Sequence, residues 1–487
     1  MKVVHACFAA ATSAVLMLRS LLALDVSQID WKLTPDAIMT NGIMLLNVPT
    51  NRTHGFSGAQ AVLPLEGRRD LVYSLRARGK NLKFGARIRA LDGHDLWFSN
   101  GCKDIGRRPG ELKLHVRPWL ADGTEQEVHV AIGLQDVGGR AAFDLRTLRI
   151  VDYLDLQPAD DARRISYPKH VEGMPPMRGV MLPPRALNED DERTLKEWGC
   201  KLLRFQIVRN WNDQRRNKDL DDYARWHDSM LELLATNVLP LAERRDMKVV
   251  IDLHVAPGGS NADGENNVFF DAESAKVLRE CWIKTAQRFK GNGTVWAYDI
   301  INEPNQELKG GETYWTIQRK IAEDIRAIDP NATIMAESNQ GCSPSAYRYM
   351  AALPMDNVIY QLHVYAPLLY THQGIGGNVR GRAYPDAKRG IDKAWLREQL
   401  RPAREFQLRH NARMYVGEFS AVCWAPGAAE YLQDCIDIFE EYGWDWTYHA
   451  FREWAGWSVE NDGEDEASLR PSADNPRRRA LLDAMRR

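Results

Sequence analysis

The pattern of hydrophobic and polar positions changes at about residue 177. From Asp25 to Gln157, short runs alternate polar with apolar residues and are separated by Gly, Asn and Asp turns. Alternation of period two at this spacing is typical of an antiparallel β-sandwich. After Met177, apolar runs alternate with longer segments of helical period, and this indicates repeated βα units.

The second region predicts eight strands with helices between them. The predicted strands are Arg178 to Met181, Lys201 to Ile207, Lys248 to His254, Val295 to Asn302, Thr333 to Glu337, Val358 to Val364, Arg413 to Glu418 and Trp446 to Phe451. Such units close as a (β/α)8 TIM barrel, whose chemistry lies at the C-terminal ends of the strands. The predicted fold class is therefore α/β, with this barrel preceded by an all-β, jelly-roll-like sandwich.

The N-terminal segment has the features of a secretory signal peptide. Lys2 is followed by an apolar stretch at residues 6–18 and by small residues around Ala23. Arg19 and Leu21 fit that pattern poorly, so an uncleaved anchor or a misassigned start remains the alternative. We expect a secreted or periplasmic protein. The predicted organisation is a signal peptide at 1–24, a sandwich at 25–157, a linker at 158–176 and a barrel domain at 177–487.

Charge and cysteine usage narrow the classes of partner. The chain has 64 basic and 66 acidic side chains, a balance that argues against nucleic acid or an anionic membrane surface as the partner. Beyond the N-terminal segment nothing resembles a membrane span. The seven cysteines are scattered without paired spacing, so neither a metal nor another cofactor is implied. A neutral substrate fits better; the oligomeric state stays open, with a monomer as the expectation.

Two glutamates end predicted barrel strands. Glu303 follows the apolar run that begins at Val295, and Glu418 ends the run that begins at Arg413. Both side chains should therefore lie at the C-terminal mouth of the barrel. Two carboxyl groups facing one sugar ring are the minimum equipment for glycoside hydrolysis.

Five motifs follow one another in chain order along the predicted barrel: Arg204 lies within the second predicted strand, and the other four lie at or directly after strand ends. They are Arg204, LHVAPGG at 253–259, NEP at 302–304, HVY at 363–365 and GEF at 417–419. Together they resemble the family-5 glycoside hydrolases, the cellulase family of clan A, across roughly residues 177–460. The resemblance implies a retaining hydrolase of β-glycosidic bonds that forms a covalent glycosyl-enzyme intermediate. In it Glu418 is the nucleophile and Glu303 the general acid/base.

The same resemblance implies a set of substrate-binding residues around this pair. Arg204 would keep Glu418 ionised and oriented through paired hydrogen bonds. Asn302 would contact the sugar 2-hydroxyl, a contact that strengthens in the transition state. Tyr365 would donate to Glu418, while His254 and His363 would contact hydroxyls of the bound ring.

One position departs from the family pattern. Family members usually present a Trp at the end of strand eight as a floor for the sugar, whereas this chain has His449 or Phe451 near that place. We expect Trp454 and Trp457 to supply the stacking face instead. If they do not, a glucose chain becomes a less natural substrate.

The functional alternatives depend on the loops and on the first domain. The long loop at 366–390 predicts a lid that closes one end of the cleft, or else a surface excursion. A lid favours an exo-acting glycosidase, and a transglycosylase on a non-glucan glycan is also open. A noncatalytic carbohydrate-binding protein is the third alternative, although binding alone does not require both glutamates. The sandwich resembles carbohydrate-binding modules, or it is a structural cap.

Overall fold

The computed structural model describes residues 29–64, 71–89, 95–116, 127–209, 214–261, 264–378 and 380–486. The predicted signal peptide lies outside these residues. The chain divides into two compact units, Met1–Tyr153 and Leu154–Arg487. Among the described helices, none is both long and apolar enough to cross a membrane. The six described cysteines are free, and all except Cys102 are buried.

The first unit consists of two five-stranded sheets, ordered β1-β4-β9-β6-β7 and β2-β3-β10-β5-β8. The strands are β1 Lys32–Leu33, β2 Ala37–Thr40, β3 Ile43–Val48, β4 Phe56–Pro64, β5 Leu71–Gly79, β6 Leu82–Arg89, β7 Asp95–Ser99, β8 Gly106–Val116, β9 Glu127–Gln135 and β10 Gly139–Asp152. All pairings are antiparallel. Every second residue of β6, from Leu82 to Ile88, enters the common core. The predicted all-β sandwich is confirmed.

Four strands of this unit were not expected from the sequence. β1 to β3 are short, and β8 carries Gly106, Pro109 and Gly110 among charged residues. These residue types disfavour a strand assignment. Pairing of β8 with β5 along most of its length outweighs that local preference.

The second unit contains a closed barrel of eight parallel strands, as predicted. The strands are β11 Arg178–Leu182, β12 Leu202–Gln206, β13 Lys248–Asp252, β14 Val295–Asp299, β15 Ile334–Glu337, β16 Val358–Val364, β17 Arg413–Phe419 and β18 Asp445–Tyr448. A two-stranded sheet, β19 Asn461–Asp462 with β20 Arg470–Pro471, lies beyond the barrel in the chain. β14 ends three residues earlier than expected, so Asn302 and Glu303 lie in the loop after it.

Helices lie before, between and after the barrel strands, and several begin at a side-chain cap. They are α1 Lys169–Glu172, α2 Glu189–Trp198, α3 Gln214–Lys218, α4 Leu220–Leu233, α5 Leu239–Arg244, α6 Ala272–Phe289, α7 Tyr314–Ile328, α8 Asn339–Cys342, α9 Leu368–Thr371, α10 Lys393–His410, α11 Ala428–Tyr442 and α12 Pro476–Met485. Asn188 caps α2 and Thr313 caps α7, each in a reciprocal capping box. These caps fix the residue at which each of the two helices begins.

Residues 158–176, predicted as a linker, pack against one end of the barrel. Val171 belongs to the same core cluster as Leu202 and Ile359, near the starts of β12 and β16. The Tyr167 hydroxyl donates to the carbonyl of Val358 and accepts the amide of Arg413, both at 2.7 Å. The N-terminal end of the barrel is therefore filled, and the polar strand ends lie at the opposite mouth.

Candidate active site

The site is built around Arg204, which lies in the middle of β12 and is fully buried. Its Nη1 donates to Oε1 of Glu418 at 2.6 Å, and its Nη2 donates to Oδ1 of Asn302 at 2.8 Å. Three further carboxylates surround Nη2: Asp299 at 3.0 Å, Asp252 at 3.1 Å and Glu337 at 3.4 Å. One guanidinium thus contacts residues of β13, β14, β15 and β17 or of the loops that follow them.

Because several carboxyl groups surround one cation, their pKa values differ from one another. Burial alone would lower the pKa of Arg204, but Asp252, Asp299 and Glu418 raise it well above its usual value. Burial, with the charge of Asp252, raises the pKa of Asp299 to about 6 despite the nearby guanidinium. Burial and the charge of Asp299 raise the pKa of Glu337 well above its ordinary range.

Glu418, within β17 near its end, is held in the ionised form. Burial would raise its pKa, but electrostatic interactions with His363, His449, Arg204 and His254 hold that pKa well below the usual range. The Tyr365 hydroxyl donates to Oε2 of Glu418 at 2.8 Å. The carboxylate is therefore charged and fixed in orientation on both oxygens.

Glu303 has a different environment. It follows β14 in a left-handed backbone conformation with φ of 47°, and its side chain is 41% exposed. Its Oε1 lies 2.9 Å from Nδ1 of His363. One carboxyl oxygen of Glu303, one ring nitrogen of His363 and one oxygen of Glu418 all lie within 4.8 Å of one another. Two carboxyl groups thus share one site, one buried and charged, the other open to solvent.

His449 occupies the position after β18, where the sequence left His449 and Phe451 as alternatives. Its Nε2 lies 3.0 Å from Glu453, and its Nδ1 contacts the Tyr365 hydroxyl. Because that hydroxyl gives its proton to Glu418, Nδ1 must be the donor. Although burial would lower it, Glu453 and Glu418 raise the pKa of His449. Phe451 is instead buried against Trp198, with ring centroids 5.3 Å apart.

The structure brings most of the predicted residues together. Arg204, Asn302, Glu303, His363, Tyr365 and Glu418 meet as described, and His254 lies buried with Nδ1 2.7 Å from Asp252. Trp457 is only 7% exposed, because Tyr365, His372, His449 and Trp454 surround its ring. It has little face to offer a sugar. Trp454 is half-buried against Trp424.

Sequence reasoning missed Gln361, which lies inside the apolar strand β16. Its Nε2 donates to Asp299 at 3.0 Å and also to Glu337. Its signal was available, since a polar residue within a fully buried strand requires partners. Gln361 therefore connects two of the carboxyl groups beneath the site.

A cavity of about 370 Å³ opens beside Glu303. Its lining residues come from the loops after β13, β14 and β15 and include His254, Asn266, Asn302, Asn305 and Gln340. Amide groups can pair with hydroxyls as donors and as acceptors. The cavity therefore suits a hydroxyl-rich ring on the Glu303 side of the site.

Among the residues that the structure describes, two groups of side chains have spacing that could suit a metal ion: Glu303 with His363 and Glu418, and Glu337 with Cys342 and His363. Their donor atoms are already engaged within the protein. Glu418 accepts from Arg204 and Tyr365, and the Cys342 thiol donates to the carbonyl of Gln361 at 3.1 Å. The close spacing of these side chains is therefore explained by the hydrogen bonds that they form within the protein.

The model of the cellulase family, glycosyl hydrolase family 5, matches residues 169–458. The chain belongs to this family. One oxygen of Glu303 and one of Glu418 lie within 4.8 Å of each other, a closeness that agrees with the carboxyl pairs of retaining enzymes, about 5 to 5.5 Å apart, better than with the wider pairs of inverting ones. This family-5 protein is a glycosidase.

Relatives of this family-5 chain include two curated bacterial proteins. Endoglucanase C of Acetivibrio thermocellus is 25% identical over 296 residues, covering 54% of this chain and 84% of the relative. Cellodextrinase A of Ruminococcus flavefaciens is 24% identical over 265 residues, covering 53% and 76% respectively. A solved endoglucanase structure aligns with a TM-score of 0.50 at 18% identity over 63% of this chain and 96% of its own, a likeness of fold.

Substitution of Asp299 tests the charge crowding. Its pKa in the folded protein, about 6, is raised from 3.8, so the native state binds the proton more tightly than the unfolded state. Stability contributed by this group therefore falls as the pH rises from about 4 to about 6. Between about pH 4 and about pH 6, the free energy of unfolding of Asp299→Asn should therefore rise relative to that of wild type by up to about 3 kcal/mol. Urea titrations at several pH values measure the difference.

Asp191→Asn is the matched control. Burial would raise the pKa of Asp191, but the hydrogen bonds from Arg185 and Arg452 help to lower it to about 2. Its contribution to stability should therefore be constant above about pH 4 and be lost only in stronger acid. A flat Asp299→Asn difference across the same window would contradict the proposed crowding.

Proposed function

We propose that this glycosidase hydrolyses β-linked glucan oligosaccharides with Glu418 as nucleophile and Glu303 as acid/base. The observation that supports these roles is the pair itself: two carboxyl groups within 4.8 Å whose surroundings differ. Glu418 is 6% exposed in its side chain and bound by Arg204, whereas Glu303 is 41% exposed and faces a cavity. A buried, charged group suits attack, and a solvent-open group suits proton exchange.

The reaction has two balanced steps. In the first, Glu418 attacks the anomeric carbon and forms a glycosyl ester while Glu303 gives its proton to the departing glycosidic oxygen. In the second, Glu303 takes a proton from water, and the water oxygen displaces Glu418. Arg204 and Tyr365 hold the carboxylate of Glu418 for attack, and Asn302, itself held by Arg204, hydrogen-bonds the 2-hydroxyl.

The substrate class follows from the relatives together with the lining of the site. The curated relatives are named an endoglucanase and a cellodextrinase. The cavity beside Glu303 offers amides rather than aromatic faces, and this favours a hydroxyl-rich leaving sugar held by hydrogen bonds. His449, in place of the family's usual tryptophan, gives the nucleophile side a smaller and more polar surface. We therefore favour short soluble glucans over crystalline polymer.

We also propose that the enzyme releases short units from chain ends. The described residues of the loop at 366–390 are joined by hydrogen bonds: the Gln373 side-chain oxygen accepts the amides of Gly381 and Arg382, and Trp424 donates to the Gln373 carbonyl at 2.6 Å. Arg380 lies over the Trp424 ring and donates to the carbonyl of Glu464. This loop contacts the site at His372, whose ring packs against that of Tyr365. We refer to it as the loop wall.

Export and domain limits belong to the same proposal. Lys2 and the apolar stretch at 6–18 support a signal peptide at 1–24 and a secreted or periplasmic location. We further propose the sandwich at 25–157 as a separate domain before the barrel. We propose that the protein is a monomer that binds a glycan substrate and does not bind nucleic acid.

The Glu303→Ala variant tests the acid/base role. An activated leaving group needs little proton donation, so the variant should retain most of its first-step rate on 2,4-dinitrophenyl β-glucoside. With phenyl β-glucoside, which needs a proton, kcat/KM should fall by about 100-fold or more. Azide should partly restore turnover by replacing water and should yield a β-glucosyl azide, identified by NMR. Equal losses on the two substrates would remove Glu303 from this role.

A time course on soluble β-glucan tests terminal action. If the loop wall closes one end of the site, single sugars or short units should appear early while viscosity falls slowly, because trimming from the ends leaves most chains long. Viscometry with product sizing by chromatography measures both quantities. A rapid viscosity drop with mixed oligomers at low conversion would establish an open cleft instead.

A further inference from the structure

We propose that Glu337 is a positioning residue for Glu303: its carboxyl group, at the end of β15, fixes the backbone from which the acid/base side chain projects. This inference rests on the proposed role of Glu303. Glu337 itself is fully buried and does not line the cavity beside Glu303. Contact with substrate therefore does not explain why a carboxyl group lies here. Burial of such a group costs free energy unless it has hydrogen-bond or ion-pair partners.

The contact is direct. Oε2 of Glu337 accepts the backbone N–H of Glu303 at 2.7 Å. Glu303 has φ of 47°, a left-handed conformation that non-glycine residues adopt at a cost in free energy. Such a conformation persists only where its surroundings hold it. The hydrogen bond from this strained amide to Glu337 supplies that constraint.

Glu337 is itself held from several sides. The Gln318 side chain accepts the Glu337 N–H at 2.8 Å and donates to its carbonyl at 3.0 Å. On the side-chain oxygen that does not face Glu303, Gln361 donates a hydrogen bond and Arg204 lies at 3.4 Å. One carboxylate therefore connects the guanidinium that holds Glu418 to the amide of Glu303.

The rest of the loop after β15 acts in the same direction. Asn339 accepts the N–H of Gln306 at 2.9 Å and donates to its carbonyl at 2.7 Å. Gly341 donates to the carbonyl of Pro304 at 3.1 Å. These three hydrogen bonds join the loops after β14 and β15, and the Glu337 contact extends that connection to the backbone of Glu303 itself.

Two variants separate positioning from general stability. Glu337→Met keeps the approximate side-chain volume but removes the acceptor, whereas Glu337→Gln keeps an oxygen that can accept the Glu303 N–H. With phenyl β-glucoside, which needs proton donation, Glu337→Met should lower kcat/KM by about 10- to 100-fold. With 2,4-dinitrophenyl β-glucoside the loss should be several-fold at most, and Glu337→Gln should restore most of the activity on the phenyl substrate.

Asp445→Asn is the matched control. Asp445 is also a fully buried carboxyl group in a barrel strand, but it is paired with Arg413 at 2.7 Å and lies at the start of β18. Its loss should lower the melting temperature without changing the ratio of rates on the two aryl glucosides. Should Glu337→Met fail to fold, Glu337→Asp replaces it, because retraction of the carboxylate by one methylene lengthens the bond to Glu303.

A double mutant gives the decisive comparison. If Glu337 acts through Glu303, then adding Glu337→Met, or its Asp replacement, to Glu303→Ala should cause no further loss on phenyl β-glucoside. Equal losses on both aryl glucosides in the single Glu337 variant, or an additive loss in the double mutant, would overturn the inference. If Glu303→Ala alone shows no dependence on the leaving group, the proposed function fails instead, so the two failures are distinguishable.

Discussion

The geometry of the active site depends on one buried guanidinium, that of Arg204, surrounded by more carboxyl groups than it can neutralise. Four carboxylates lie within 3.4 Å of it, from Asp252, Asp299, Glu337 and Glu418. Because a buried charge is stable only when paired, the barrel must distribute protons unequally among them. Glu418 stays ionised, whereas Asp299 and Glu337 are shifted towards the protonated form.

This unequal distribution explains the division of chemistry between the two glutamates. Glu418 is charged because electrostatic interactions with three histidines and Arg204 lower its pKa. It is oriented because the Tyr365 hydroxyl donates a hydrogen bond to its second oxygen. Glu303 lies outside the buried network, exposed enough to exchange protons, yet its backbone is tied to that network through Glu337. The charged nucleophile and the proton donor are thus held by one connected set of hydrogen bonds.

The sequence predicted the barrel well because its strands are buried on both faces and appear as continuous apolar runs. Glu303 and Glu418 stand where such runs end and Arg204 stands inside one, so these three residues could be placed without coordinates. Features that depend on loop conformation were out of reach. The left-handed backbone of Glu303 and its hydrogen bond to Glu337 leave no periodic signal. The burial of Trp457 arises in part from Tyr365 and His372, which are distant in the chain. In the sandwich, β8 was missed because its glycines and proline hide a pairing that only the sheet reveals.

The proposed mechanism requires above all that Glu418 forms a covalent bond to the sugar. Incubation with 2,4-dinitrophenyl 2-deoxy-2-fluoro-β-glucoside, followed by proteolysis and mass spectrometry, detects that bond. The fluorine slows both steps, but the activated dinitrophenolate leaving group keeps formation of the glycosyl ester faster than its hydrolysis. We predict a mass increase of one fluoroglucosyl group on the peptide that contains Glu418, and no such label in the Glu418→Gln variant. A label on another residue, or turnover of unmodified substrate with inversion at the anomeric carbon, would contradict the mechanism.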